Sequence, residues 1–148
     1  MADAAPSWTH EQLQERVSRA PFNSWLGLEL VAWDERGVTL RLHNRRELSG
    51  QVALRALHGG IIAALIDVGC SMAVIAQTGE SIFTVDMRVD YLRPATDDEF
   101  TVRGEVVRLG RTLATAETQV IAADGKVVAS GRAVLQHVRQ LAGDSRPS

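Results

Sequence analysis

Residues 61–76, IIAALIDVGCSMAVIA, form the most apolar stretch of the chain, and Asp67 is its only charged residue. The stretch is shorter than the ~20 apolar residues that a membrane span needs. Its apolar side chains would cover nearly every face of a helix, so it predicts an enclosed central helix over 60–77. A carboxylate in such a helix is usually paired, hydrogen-bonded, protonated or catalytic, which makes Asp67 the first candidate for a functional residue.

The segments on either side of this helix predict an antiparallel sheet. Strand-like segments rich in β-branched residues follow it, and two more precede it; they lie at 82–92, 99–109, 112–122, 127–139, 27–34 and 38–44. A helix is predicted over 9–19, with Thr9 as its N-cap and Gln12 three residues on, and another over 21–26. Asp124-Gly125 predicts a hairpin turn, and residues 45–57 predict a loop without periodicity. We therefore expect one α+β domain over 1–148, a curved antiparallel sheet wrapped around one apolar helix, with a helical extension at 1–20 and a loose tail at 142–148.

Composition excludes several classes of function. Sixteen basic and eighteen acidic residues give a net charge of −2, which offers no electrostatic case for nucleic-acid binding. The single cysteine, Cys70, cannot form an intramolecular disulfide, and no Cys/His cluster has zinc spacing. The first residues lack the pattern of a secretory signal. A cytoplasmic protein without a metal, a membrane or a nucleic-acid partner is the expectation.

The triplet His58-Gly59-Gly60 stands just before the apolar stretch. Glycine lets a ligand approach the backbone closely, and free N–H groups at the positive end of a helix would stabilise an oxyanion. The plain alternative is that the glycines only make a tight entry into the helix. For His58 an orienting polar contact is favoured over proton transfer, and Asp67 could instead cap a neighbouring backbone or pair with an arginine.

Further motifs extend this pattern into a family resemblance. The triplet, Asp67 nine residues after the histidine, TVDM at 84–87 and YLRPA at 91–95 together resemble the hotdog-fold acyl-CoA thioesterases over about residues 25–138. The nearest subgroup is the phenylacetate-degradation type. The resemblance implies a hotdog fold, dimers and often tetramers, and hydrolysis of an acyl-CoA thioester to a free acid and coenzyme A without any cofactor.

The resemblance also implies roles for individual residues. Asp67 would be the general base or the nucleophile, Thr84 would help to position water, and the backbone at Gly59 would polarise the thioester carbonyl together with Gly60. Implied contacts to substrate or coenzyme A are Tyr91, Arg108, Gly110, Arg111, Thr112, Leu113 and His137. The simpler interpretations are an ordinary strand residue at 84 and a hairpin with solvated arginines at 108–113.

One position departs from the family pattern. The family usually has Asn or Gln six residues before the histidine, where this chain has Val52. Gln51 could serve after a one-residue shift, or Ser49 could substitute. The departure leaves open a non-hydrolytic acyl-CoA or acyl-carrier binding protein. A hotdog dehydratase fits the spacing of histidine and carboxylate poorly, and a purely structural dimer leaves Asp67 unexplained.

Helix geometry adds an expectation about assembly. Gly60 and Asp67 are seven residues apart, or ~10 Å along a helix, so one carbonyl cannot reach both in the same chain. Antiparallel central helices of two subunits would place Asp67 of one opposite the glycines of the other. We therefore expect an obligate dimer with two sites; the acyl group and the choice between dimer and tetramer are left open by the sequence.

Overall fold

The computed structural model describes residues 5–138, so the predicted tail at 142–148 and the predicted last strand residue, Arg139, lie outside the described residues. The helices are α1 (His10–Ser18), α2 (Pro21–Leu26) and α3 (Gly59–Thr78). The strands are β1 (Glu29–Trp33), β2 (Gly37–His43), β3 (Ser49–Gln51), β4 (Ala56–Leu57), β5 (Ser81–Tyr91), β6 (Glu99–Leu109), β7 (Leu113–Ala122) and β8 (Val127–Val138).

Six of these strands form one antiparallel sheet, in the order β1-β2-β6-β7-β8-β5, and α3 packs against it. The predicted hotdog architecture is therefore confirmed. The prediction for 45–57 was incomplete, because this segment contains two 3₁₀ turns and the short β3–β4 pair, in which Ser49 lies opposite Leu57. Strands of two or three residues are too short to show a period in the sequence.

The N-terminal helices pack beside β1. Thr9 caps α1 and forms a capping box with Gln12, as the sequence predicts, while Leu13 and Val17 are fully buried. α2 ends at Gly27, whose φ of 74° is readily adopted by glycine. The C-terminal end of α1 and the middle of α3 line the same cavity.

The central helix α3 approaches the sheet unusually closely. It is long and apolar enough to cross a membrane by length and composition, but 56% of its most apolar window is buried inside the protein. The approach depends on glycine at the contact: a Cβ on Gly104 would lie 2.1 Å from the carbonyl oxygen of Gly69. On Gly69, a Cβ would lie 2.5 Å from Thr118 Oγ1. Neither backbone has room for a side chain.

We expect Gly104→Ala to lower the free energy of unfolding by about 3 kcal/mol, the upper part of the range for overpacked cores. The added methyl would meet backbone rather than a movable side chain, so the helix or the strand must shift. Urea denaturation followed by circular dichroism measures the change. Thr101→Ala, on the same strand, is the control and should lower stability by no more than about 1 kcal/mol, the span of strand propensities. Equal losses in both variants would contradict the close-packing argument.

Cys70 is buried on the sheet-facing side of α3. Its Sγ lies 3.2 Å from Thr118 Oγ1 and donates to the carbonyl oxygen of Ala116 at 3.4 Å. Burial raises the pKa of the thiol to about 11. At neutral pH it is protonated and unreactive, so Cys70 serves as a small packing residue.

Candidate active site

The first half of the site is the N-terminal end of α3. His58 is the N-cap residue, and its Nδ1 accepts a hydrogen bond from the Gly60 backbone N–H at 2.8 Å. The Tyr91 hydroxyl, at the far end of β5, donates to the Gly59 carbonyl oxygen at 2.7 Å. His58 therefore caps the first turn of α3 and Tyr91 holds the same turn, while the orienting role of His58 towards a substrate stays a prediction.

Only one of the two glycine amides is available to a ligand. The Gly60 N–H is already bonded to His58, whereas the Gly59 N–H has no acceptor among residues 5–138. The free amide stands in the first turn of a 20-residue helix, where the helix dipole adds partial positive charge. A carbonyl oxygen that gains negative charge would be stabilised at Gly59.

The second half of the site is built around Asp67. This carboxylate is half-buried on α3, and its Oδ1 accepts a hydrogen bond from the Thr84 hydroxyl at 2.6 Å. Its Oδ2 has no hydrogen-bond partner among the described residues. A β-bulge follows directly, because β5 shifts register against β8 between Thr84 and Asp86. Bulges re-aim side chains at functional sites, and this one lies beside the Thr84–Asp67 contact.

Within one chain these two halves stay apart. Gly59 and Asp67 are eight residues apart on the same helix, or ~12 Å along its axis. Tyr91 and Thr84, which anchor the two halves, are seven residues apart along β5. The structure thus places every residue of the predicted catalytic set on α3, β5 or the segment before α3, but it does not bring the amide and the carboxylate together.

The predicted coenzyme A contacts gather at a third place, the β6–β7 hairpin. The Gly110 N–H donates to the Leu113 carbonyl oxygen at 2.9 Å, which closes the turn after Arg108. Arg111, Thr112 and His137 line one cavity of about 330 Å³. Tyr91 lies outside this group, because its hydroxyl contacts Gly59 instead.

His137 is the one histidine buried beside that cavity. Its backbone N–H donates to the Thr112 carbonyl oxygen at 3.0 Å, and its Nδ1 lies 2.7 Å from Glu80 Oε2. The side chain is only 4% exposed, and its Nε2 has no hydrogen-bond partner among the described residues. A buried polar nitrogen without a hydrogen-bond partner is uncommon in a folded protein.

The segment that departs from the family pattern runs beside His58. β3 lies so close that a Cβ on Gly50 would be 3.0 Å from the His58 Cα. The side-chain amide of Gln51 makes no hydrogen bond to any described residue, and the side chain of Val52 is 58% exposed. Ser49 and Gln51 therefore both flank the histidine, and neither is bonded to Asp67.

Sequence reasoning did not identify a cavity of about 350 Å³ that opens beside Asp67. Its walls come from α3, from the start of β5 and from the N-terminal helices; they include Val68, Met72, Ile75, Ile82, Arg16 and Arg19. The arginines are remote from α3 in sequence, so no motif connects them with Asp67. Their position follows only from the packing of α1 against the fold.

Comparison with known proteins shows the family to which the chain belongs. Residues 55–129 match the family model of the thioesterase superfamily. The chain belongs to the thioesterase superfamily. A relative from Salmonella typhimurium, named medium/long-chain acyl-CoA thioesterase YigI, is 33% identical over 132 residues, which cover 79% of this chain and 85% of that protein.

Solved structures give the same picture of this superfamily member. A thioesterase family protein from Silicibacter pomeroyi is 28% identical, with a TM-score of 0.78, covering 88% of this chain and 98% of that one. Thioesterase HI1161 from Haemophilus influenzae has a TM-score of 0.83 at 22% identity, covering 97% of this chain and 99% of that one. At 22% identity, the likeness to HI1161 is evidence for the fold alone.

Proposed function

We propose that this protein hydrolyses acyl-CoA thioesters to a free carboxylic acid and coenzyme A. The observation that carries the proposal is the Asp67 carboxylate: Thr84 holds Oδ1, and Oδ2 is left without a partner beside a cavity. Membership of the thioesterase superfamily supports the reaction class, and the name of the Salmonella relative supports an acyl-CoA substrate.

In the first mechanism Asp67 is a general base. Oδ2 takes a proton from water as the water oxygen bonds to the thioester carbonyl carbon, and the Gly59 N–H stabilises the resulting oxyanion. The oxyanion collapses, the carbon–sulfur bond breaks, and the thiolate leaves with the proton held by Asp67. One water and one thioester give one acid and one thiol.

In the second mechanism Asp67 is the nucleophile. Its carboxylate oxygen bonds to the carbonyl carbon, the thiolate leaves, and an acyl–Asp67 anhydride remains. Water then cleaves the anhydride and regenerates the carboxylate. The Thr84 hydrogen bond is compatible with both mechanisms, because it orients the carboxylate and leaves one oxygen free.

We further propose that the site is shared between two subunits. The amide of Gly59 and the carboxylate of Asp67 are too far apart in one chain, and β5 is an edge strand of the sheet. Its side chains Phe83 and Val85 are 68% and 56% exposed, which favours a second copy as the occupant of this edge. Antiparallel association of two such edges would bring Asp67 of one chain towards Gly59 of the other.

The β6–β7 hairpin is the proposed contact for coenzyme A. Arg111 would supply a cation for a phosphate, and Thr112 and His137 would line the cavity that takes the pantetheine arm. Arg108, Gly110, Thr112 and Leu113 shape the same hairpin. No further cofactor is required by this chemistry, and a cytoplasmic enzyme, as a dimer or a tetramer, is the proposed setting.

The test is thiol release from a panel of acyl-CoA thioesters, from short to long chains and including aryl groups, with free thiol titrated continuously. Turnover above the no-enzyme rate supports the proposal. The alternative function is acyl-CoA binding without hydrolysis, which the exposed Val52 and the unbonded Gln51 favour. Calorimetric binding of acyl-CoA with no acid formed would establish that alternative and reject hydrolysis.

A further inference from the structure

The cavity beside Asp67 has an uneven chemical character. Its α3 wall runs from Asp67 past Val68 and Met72 to Ile75, a span of eight residues or ~12 Å. Val68 and Met72 are buried and Ile75 is half-buried, so this wall is apolar except for Ser71, which lies between Val68 and Met72. An acyl chain whose carbonyl lies at Asp67 would extend along this wall.

Two guanidinium groups from the end of α1 border the same cavity. Arg16 is half-buried in the last turn of α1, and Arg19 is its C-cap residue. Both line the cavity at Asp67, and both also line a neighbouring surface cavity near Gly79. The two side chains therefore stand where the cavity opens outward.

Neither guanidinium has an ion-pair partner among residues 5–138. Burial, and next the charge of Arg19, lower the pKa of Arg16. A cation in the last turn interacts favourably with the helix dipole, which accounts for positive charge at this end of α1. The dipole does not require that both side chains face one cavity. An anionic ligand group would relieve their repulsion and complete their hydrogen bonding.

We propose that Arg16 and Arg19 are specificity-determining residues that select acyl groups carrying a carboxylate at the end remote from the thioester. This inference rests on the proposed thioesterase function, and it specifies the substrate class. The apolar wall contacts the methylene chain, and the arginine pair binds the terminal carboxylate. A monocarboxylic acyl chain of the same length would leave both guanidiniums without that partner.

The test compares suberyl-CoA with octanoyl-CoA, which have the same chain length and differ in the terminal carboxylate. In the double variant Arg16→Gln/Arg19→Gln, kcat/KM for suberyl-CoA should fall at least about tenfold relative to octanoyl-CoA, as expected for loss of a charge-assisted contact. The Arg16→Lys/Arg19→Lys variant should keep most of the preference. Arg36→Gln, at an exposed position in the β1–β2 turn, is the matched control and should change neither rate.

Equal losses for both substrates would overturn the proposal, because they would show that the arginines contact coenzyme A or maintain the fold. Unchanged rates for both would overturn it as well. Calorimetric binding of the two thioesters to Asp67→Asn protein, with and without the arginine pair, measures the preference for the terminal carboxylate independently of turnover. If neither thioester is hydrolysed by the unaltered protein but suberyl-CoA binds more tightly through the arginines, the proposed hydrolysis fails and the specificity assignment stands. Loss of that binding preference rejects the specificity assignment alone.

Discussion

Replacing Asp67 with asparagine is expected to lower kcat/KM for thioester hydrolysis by about 10³-fold or more. The substitution removes the carboxylate that either activates water or attacks the thioester carbonyl. Asparagine keeps the size of the side chain and can still accept the Thr84 hydrogen bond. It can neither take a proton from water nor form the anhydride. The loss should therefore appear in kcat, and thiol release under saturating substrate measures it.

The matched control is Asp98→Asn. Asp98 is an exposed carboxylate in the loop between β5 and β6, and its ion pair with Arg55 at 3.1 Å is a surface contact of small energetic weight. Activity and oligomeric state should both be unchanged in this variant. If Asp67→Asn retained full activity with the same association state, the assignment of Asp67 as the central catalytic residue would be rejected.

Oxygen isotope labelling distinguishes the two mechanisms of Asp67. A single turnover in H₂¹⁸O with enzyme in excess places the label in the product acid if Asp67 is a base, because the attacking oxygen comes from water. If Asp67 is the nucleophile, water that attacks the carboxylate carbon of the anhydride places the label in Asp67 itself. Mass spectrometry of the acid and of the peptide carrying Asp67 would read both positions.

Much of the fold could be predicted because its signals are local. Three features depend only on residues adjacent in sequence: the apolar run at 61–76, the Thr9 capping box and the Asp124-Gly125 turn. Each lies where the sequence predicts it. β6 matches its predicted bounds at 99–109. The β3–β4 pair was missed because its hydrogen bonds join segments too short to carry a pattern.

The candidate site was only partly predictable, for a physical reason. Asp67 stands out as a charge in an apolar helix, and the glycines stand out at its start. The Gly60 N–H is bonded to His58 Nδ1, and this bond depends on the rotamer of the histidine, which the spacing of residues does not predict. The contribution of Arg16 to the cavity depends on where α1 lies relative to α3, and these elements are remote in sequence.

Gly59→Pro is expected to lower kcat by about 10²- to 10³-fold, the usual effect of losing one oxyanion donor. Proline lacks the N–H, yet it is well tolerated at the first position of a helix. His58, which precedes it, has φ −60° and ψ 138°, a conformation that suits a residue before proline. The helix should therefore form, while the donor is absent.

Gly59→Ala is the control for this variant, because it adds a side-chain carbon and keeps the N–H. A Cβ at this position would lie 3.6 Å from the Tyr91 ring, an ordinary contact. Alanine should therefore retain most of the activity. Equal losses with proline and alanine would show that crowding, not the amide, is responsible, and the role of Gly59 as the oxyanion donor would be rejected.

Combining Gly59→Pro with Asp67→Asn in one heterodimer tests whether the site is shared. Each chain then carries one defect, and two affinity tags isolate the mixed dimer. If each site takes its amide from one subunit and its carboxylate from the other, one site has both defects and the other has none, so about half the activity of the unaltered dimer should return. If each site lay within a single chain, both sites would carry one defect and the mixed dimer would be as inactive as its parents. Recovery of activity from two inactive chains would thus explain why the amide and the carboxylate lie ~12 Å apart along one helix.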